Sequence, residues 1–222
     1  MNLPDWVGPV AEYMFEVGLA NTLKVSAIAL TASALIGITL GTLLTIRFLP
    51  SRALIRLYIE VWRGLPILVT IFIIFFALPS ASDRLRFEPV VAAGIGLTLW
   101  GSAQVAEATR GAVQSIPREQ HEAASALGFG WVGRHAFVIL PQALRRLLPP
   151  MVGLLVNIIQ NTTIAQVIGA AELLETGERQ VERLTFEGEN HAFEIYGAVM
   201  VVFFLISFPL TRLAAYLERR LV

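Results

Sequence analysis

The segment from Glu122 to Pro141 reads EAASALGFGWVGRHAFVILP, and it lies between long apolar stretches of the chain. It opens with an alanine-rich run, crosses a basic stretch broken by glycines, and stops at Leu140-Pro141. Ser115 and Pro117 just upstream are helix-start signals, and Gly128 is a helix-stop signal. The pattern therefore predicts about three turns of helix followed by a turn.

One face of this predicted helix carries Gln120, Ala123, Ala124 and Leu127, which recur at intervals of three and four residues. The small alanines would leave a shallow surface against which another protein could pack. The helix is too short and too weakly apolar to lie in a membrane by itself. A short helix that serves as a protein contact is the expectation.

The rest of the chain is predicted to be a membrane protein. Of its 222 residues 55% are hydrophobic and only 15% are charged, with a mean hydropathy of +0.66, which is more apolar than a soluble domain needs. Five uncharged stretches have about the length that crosses a bilayer as helix. The expected spans cover about residues 18–46, 62–82, 89–112, 147–171 and 193–213 of a single domain, 1–222, with a cytoplasmic loop at 115–141.

Charge in the loops predicts the orientation. The side with the N-terminal residues up to Lys24, residues 83–88 and residues 172–194 holds 5 Lys and Arg against 12 Asp and Glu, and the other side holds 12 against 5. Because positive charge marks the cytoplasm, the N-terminus is expected outside and the C-terminus inside. The charged external segment 172–194 is either a solvated helix and turn or a docking surface for a protein.

Two smaller sequence features of the spans predict contacts between side chains or helices. Ser33, Gly37 and Gly41 recur every four residues, a spacing that lets helices approach closely. Glu107 and Arg110, three residues apart at the end of the third span, are expected to form an ion pair, although separate interfacial charges are almost as compatible with the pattern.

The sequence predicts no catalytic residue, metal site or cofactor of its own. It contains no cysteine, no phosphate-binding P-loop and no G-x-S-x-G nucleophile motif. His121-Glu122 begins like a zinc-binding H-E-x-x-H helix, but Ser125 occupies the position of the second histidine. The net charge is zero, which gives no reason to expect nucleic acid as a partner.

Polar side chains within the spans are few and are candidates for a solute pathway near the membrane midplane. They must face helices or water, because an unpaired amide in hydrocarbon costs roughly 2–7 kcal/mol. Hydrogen bonding between helices is the other interpretation for any one of them. The candidate pathway residues are Thr98, Gln104, Asn157, Gln160, Asn161 and Thr162.

The opening segment resembles the EAA loop of ABC-importer permeases, E-A-A-x3-G-x9-I-x-L-P, and departs from it only at Val138. Further stretches, including YIEVWRGLPILV, LPQALRRLLPP and NTTIAQVIGAAELL, are similar to the polar amino-acid uptake branch of that family, so the resemblance covers nearly the whole chain. It implies an all-α integral membrane fold, the five-helix type I importer permease with a cytoplasmic coupling helix, in the bacterial cytoplasmic membrane.

The resemblance also implies the partners. A second permease subunit, a dimer of cytoplasmic ATPases that bind the ATP and an external solute-binding protein are expected, with a polar amino acid as substrate and lipid around the spans. The residues expected to contact the ATPase are Glu122, Ala123, Ala124, Leu127 and Gly128.

One departure from the family concerns the substrate. Many relatives have Lys-Asp-Thr/Ser-Ser where this chain has Gln160-Asn161-Thr162-Thr163, so amides replace both charges. A different amino acid, a main site in the partner subunit, or an amino-acid-like solute such as ectoine or an opine are the alternatives. A stand-alone channel or intramembrane enzyme would have no use for the coupling helix.

Overall fold

The computed structural model describes residues 4–46 and 49–221. Over these residues the chain forms helices and turns, with no β-strand. The helices are α1 (Val7–Leu43), α2 (Leu49–Gly64), α3 (Ile67–Ala81), α4 (Pro89–Gln114), α5 (Arg118–Ala126), α6 (Trp131–Ile168), α7 (Leu173–Phe186) and α8 (Ala192–Leu221).

In the described part of the chain, four helices, α1, α4, α6 and α8, are long and apolar enough to cross a membrane. Helices α2 and α3 provide a fifth span if they are counted as one, and they are bent by 105° at the break between them. Pro66 lies at this break with an extended backbone, φ −59° and ψ 137°. Proline lacks an N–H and disfavours helix at the residue before it, which explains why the helix breaks here.

The described residues divide into two compact units, and all four long helices contribute to both. The first comprises the described residues up to Thr31, Leu65–Thr98 and Leu155–Pro209. The second comprises Ala32–Gly64 without residues 47 and 48, Leu99–Leu154, and the described residues from Leu210.

Close packing of α1 against α4 organises the second unit. A Cβ atom on Gly37 would lie 2.5 Å from Val105 Cβ, and one on Gly41 would lie 2.3 Å from the carbonyl oxygen of Ala106. The backbones therefore approach to a distance that only glycine permits, which confirms the role predicted for the spacing of small residues.

Polar contacts between α1 and the start of α7 organise the first unit. The Asn21 amide donates to the carbonyl of Ala171 over 2.8 Å, and the backbone N–H of Leu173 donates to Thr22 Oγ1 over 3.1 Å. Leu173 and Leu184 of α7 are buried in a core with side chains of α1 and α8. One face of α7 is thus part of the fold, while Glu178 and Glu182 remain exposed on the other.

Candidate coupling helix and solute pathway

Helix α5 has a well-defined beginning and end. It follows Pro117, whose backbone is extended (φ −53°, ψ 143°), and carries Glu119 in its first turn, where the helix dipole favours negative charge. At its end the N–H groups of Gly128 and Phe129 donate to the carbonyls of Ser125 and Ala124 over 3.0 and 3.1 Å. This pair of bonds is a Schellman motif, and Gly128 adopts the positive φ of +86° that the motif requires.

Side chains outside α5 hold it in place within the second unit. The Arg134 guanidinium donates to Ser125 Oγ over 2.8 Å, and the Gln142 amide donates to Gln120 Oε1 over 3.3 Å. Just before the helix, Arg146 donates to the backbone carbonyl of Ser115 over 2.6 Å. These hydrogen bonds connect α5 and the segment before it to the first turns of α6. Helix α5 is therefore held in one position.

One of the predicted contact residues of α5 is buried. Ala124 is only 2% exposed, because it faces inward three residues after the partly buried His121. Its side chain therefore supports the helix from within and is not accessible to a partner. Ala123 is exposed and Leu127 is 78% exposed, so these residues form the accessible apolar part of the helix.

The remaining predicted coupling residues lie on the exposed surface. Glu122 is exposed and accepts a hydrogen bond from Arg118 one turn earlier, over 2.8 Å. Gly128 is exposed at the C-terminal turn. The accessible surface of α5 thus combines a small apolar patch with an ion pair and a glycine turn.

The predicted pathway residues of α6 surround a change in helix type. The α-helical part of α6 ends at Asn161, and a 3₁₀ turn continues over Thr162–Ile168. Asn157 and Gln160 are exposed, and the partly buried Asn161 donates its amide to the Asn157 carbonyl over 2.7 Å. An amide oxygen and two exposed amide side chains therefore remain available on this stretch.

Thr162 does not belong with the accessible members of this set. It is 2% exposed, and its hydroxyl donates to the carbonyl of Ile159 over 2.8 Å. The change to 3₁₀ geometry moves its side chain into the first unit, where it lines a small gap beside Asn21 and Glu172. Thr162 is thus buried in this structure, and its place in a solute route stays a prediction. Thr98, on α4, is partly buried and donates to the Gly94 carbonyl over 2.7 Å.

Gln104 of α4 has a partner that the sequence pattern did not indicate. Its Oε1 accepts a hydrogen bond from Arg63 Nε over 3.3 Å, and Arg63 is exposed in the last turn of α2. From its charge alone Arg63 belongs with the loop before the second span. Its position directly before Gly64-Leu65-Pro66, where the helix breaks, is the signal that could have identified it.

The depth of Gln104 makes this pair significant. Gln104 follows Pro89, the first residue of α4, by fifteen residues, or ~22 Å at 1.5 Å per residue, and precedes Gln114 at the other end by ~15 Å. The hydrocarbon core of a bilayer is about 30 Å thick. Gln104, and the exposed Arg63 guanidinium that donates to it, are therefore within membrane depth.

The predicted ion pair of α4 is confirmed. Arg110 Nε donates to Glu107 Oε2 over 3.0 Å, and a second guanidinium nitrogen donates to Glu107 Oε1. The third nitrogen donates to Gln114 Oε1 over 2.6 Å. The pair is bidentate, the geometry in which arginine and carboxylate interact most strongly. Among the residues that the structure describes, no three His, Asp or Glu side chains are grouped to hold a metal ion.

Apolar spanning helices, a broken second span and a fixed short helix between two spans define a membrane permease of the type I ABC-importer fold. A crystal structure of an amino acid ABC transporter with histidines contains a chain that matches with a TM-score of 0.83 and 27% identity, over 99% of this chain and 100% of that chain. An inward-facing structure of the MetNI methionine ABC transporter matches with a TM-score of 0.81 over 97% and 99%, and at 17% identity it shows the fold alone.

The family described as binding-protein-dependent transport system inner membrane component matches residues 22–222, and the chain belongs to this family. The glutamine transport system permease protein GlnP of Escherichia coli (strain K12) is 36% identical over 219 residues, 98% of this chain and 97% of the relative. The probable glutamine ABC transporter permease protein GlnM of Bacillus subtilis (strain 168) is 31% identical over 208 residues, 94% and 93%.

Proposed function

We propose that this chain is the permease subunit of an ABC importer for polar amino acids. It conducts the solute across the bacterial cytoplasmic membrane, with its N-terminus outside, and transmits ATP-driven movement from partner ATPases through α5. The observation that carries the proposal is the match to amino-acid permeases over nearly the full length of the chain. The partners are two ATPase subunits, a second permease subunit and a solute-binding protein.

The solute class is tested most simply on the solute-binding protein that works with this chain. Calorimetric titration with each amino acid should give tight binding for a polar amino acid, with glutamine first to be tried because the relatives are named for it. A binding protein that takes only ectoine, an opine or another non-proteinogenic solute would contradict the proposed solute class.

The coupling role of α5 is supported by the way the helix is held. A helix that transmits movement between two proteins has to be held firmly in its own protein and has to be accessible to the other protein. Helix α5 meets both conditions, because Arg134 and Gln142 tie it to the fold while Ala123 and Leu127 are exposed. The small Ala123 side chain allows close approach of a groove, and Leu127 supplies apolar contact area.

A pair of single-cysteine variants tests this assignment. The chain contains no cysteine, so Ala123→Cys and Ala124→Cys each introduce a unique thiol into the same helix. Ala123→Cys should cross-link to the ATPase in the assembled importer. Ala124→Cys should not, because the side chain of Ala124 is only 2% exposed. Cross-linking from both or from neither position would contradict the proposed contact surface.

The solute pathway is proposed to include Thr98, Gln104, Asn157, Gln160 and Asn161, as predicted from the sequence, and also Arg63, which donates to Gln104. A charged side chain exposed at membrane depth is expensive in lipid and faces water or another polar group. Arg63 can pair with the carboxylate of an amino-acid solute. The amide side chains can replace part of the water around the solute's amino group, and they bind weakly enough for the solute to be released.

Transport kinetics distinguish this role from simple support of the fold. Arg63→Gln should lower the uptake rate at saturating solute-loaded binding protein by tenfold or more, on the basis of about 1.5–3 kcal/mol for a hydrogen bond to a charged group. Arg56→Gln, in the same helix and also exposed, is the matched control and should transport normally. Equal uptake by the two variants would remove Arg63 from the pathway.

A further inference from the structure

A basic cleft lies beside α5 in the second unit and takes no part in the proposed function. It is an open cleft of about 730 Å³ that is lined by the end of α1, by α2, α4 and α5, and by the first turns of α6. Its polar lining includes Arg52, Gln114, His121, Trp131 and Arg134. Among the residues that the structure describes, none of those lining the cleft is an aspartate or a glutamate.

Two hydrogen-bond donors of this lining are buried and have no acceptor. They are Nε of Arg134 and the indole Nε1 of Trp131. Arg134 forms none of the ion pairs found in residues 4–46 and 49–221, and its bond to Ser125 is to a neutral hydroxyl. A buried donor without an acceptor costs about 1–3 kcal/mol, and more when it is charged. With Arg52 and Arg134 in its lining and no carboxylate, the cleft favours an anionic acceptor.

Neighbouring groups strengthen this preference. Gln114 already uses its amide oxygen to accept from Arg110, which leaves its NH₂ group as a pair of donors. His135 directs Nδ1 to the Trp131 carbonyl at 2.9 Å, and its ring stacks on the Trp131 ring with centroids 4.2 Å apart. Burial, and then the charge of Arg134, lower the pKa of His121.

Apolar side chains also adjoin the cleft. Leu44 of the segment after α1 and Val113 of α4 lie beneath its surface and are buried. Arg52 enters from the first turn of α2, a strongly amphipathic helix whose Leu54 and Leu57 are exposed. Cationic donors, an indole and aliphatic side chains at the end of spanning helices form the usual surroundings of a phospholipid headgroup.

We propose that this cleft binds the phosphate of an anionic phospholipid headgroup. The phosphate oxygens accept from the guanidinium groups of Arg134 and Arg52, while the upper acyl chains lie against the exposed Leu54 and Leu57 of α2. Because Arg134 also holds Ser125 of α5, the bound lipid stabilises the attachment of the coupling helix. The proposal rests on the proposed function only in assigning the cleft to the cytoplasmic leaflet.

Lipid retention by the purified permease tests the proposal. Native mass spectrometry of the protein transferred from nanodiscs should show one retained phosphatidylglycerol per chain and much weaker retention of phosphatidylcholine. Arg134→Gln and Arg52→Gln should each weaken phosphatidylglycerol binding by about tenfold or more, the loss expected for a charge-assisted hydrogen bond. Arg145→Gln, an exposed arginine elsewhere on α6, is the control and should bind as the parent protein does.

Three results would overturn the proposal. They are unchanged phosphatidylglycerol retention in both cleft variants, equal loss in Arg145→Gln, or equally tight binding of inorganic phosphate alone, which would make the site one for a soluble anion. If Arg134→Gln unfolds, Arg52→Gln carries the test, because Arg52 makes no hydrogen bond or ion pair among the described residues. Since the assay uses no solute and no ATP, its outcome is independent of the transported substrate.

Discussion

Replacement of Gly128 by alanine should loosen the end of the coupling helix without disturbing any neighbouring side chain. A Cβ atom at this position has no other atom within 4 Å, so no steric clash with the rest of the protein arises. The effect comes from the backbone alone, because Gly128 has a φ of +86°, a value that residues with a Cβ rarely adopt.

The magnitude follows from this conformation. A left-handed backbone costs an L-residue roughly 1–2 kcal/mol. The strain is relieved when the Schellman turn opens and the N–H groups of Gly128 and Phe129 leave the carbonyls of Ser125 and Ala124. One to two kcal/mol corresponds to about a 5- to 30-fold increase in the open population.

Hydrogen–deuterium exchange measures that population directly. The Phe129 amide should exchange about 5- to 30-fold faster in Gly128→Ala than in the parent protein, while amides of α4 should be unchanged. Gly130→Ala is the matched control, since Gly130 also has no atom within 4 Å of an added Cβ but has an ordinary φ of −66°. Equal exchange rates at Phe129 in the two variants would refute the role given to the positive φ.

Two further predictions concern packing and pH. Gly41→Ala should destabilise the protein by about 1–3 kcal/mol, because the new Cβ would lie 2.3 Å from the Ala106 carbonyl oxygen and 2.6 Å from Thr109 Cβ. In the control variant Gly153→Ala the new Cβ meets no atom within 4 Å, so thermal unfolding should be unchanged. A melting temperature of Gly41→Ala equal to that of the parent protein would contradict the close approach of the helices. Burial raises the pKa of Glu172 above its ordinary 4.5, so the folded state binds the proton more tightly and stability should fall as pH rises from 4.5 through the raised pKa. Glu172→Gln should remove this slope in melting curves, and an unchanged slope would assign it to other groups.

Much of the fold could be predicted because its signals are local. Apolar stretches of bilayer length predict the spans, and Pro117 and Gly128 are close to the bounds of α5, Arg118–Ala126. The close approach of α1 and α4 was also predictable, since few features other than backbone packing explain glycines four residues apart.

The orientation of neighbouring identical residues was not predictable. Ala123 and Ala124 differ by about 100° around α5, and both fit the proposed contact face. Which alanine faces inward depends on the docking of α5 on α6, through residues outside the helix such as Arg134 and Gln142.

Two structural features at the candidate pathway were unpredictable for similar reasons. The apolar pattern of the fourth span predicts that the α-helix continues through Thr162. In the structure the backbone changes to 3₁₀ geometry at that residue. Arg63 was missed because its charge assigns it to a loop, while in the structure its Nε donates to Gln104 Oε1. Neither effect is visible in hydropathy.

The measurement that tests the central claim most directly is ATP-dependent uptake by the reconstituted importer. Proteoliposomes that contain this chain, its partner permease subunit where one exists and its ATPase should accumulate a labelled polar amino acid when ATP is inside and the loaded solute-binding protein is outside. Arg56→Gln should behave as the parent and Asn161→Leu should abolish uptake while ATP hydrolysis continues. Parent-like uptake by Asn161→Leu would contradict the pathway, and no amino-acid uptake by the parent complex would contradict the proposed function itself.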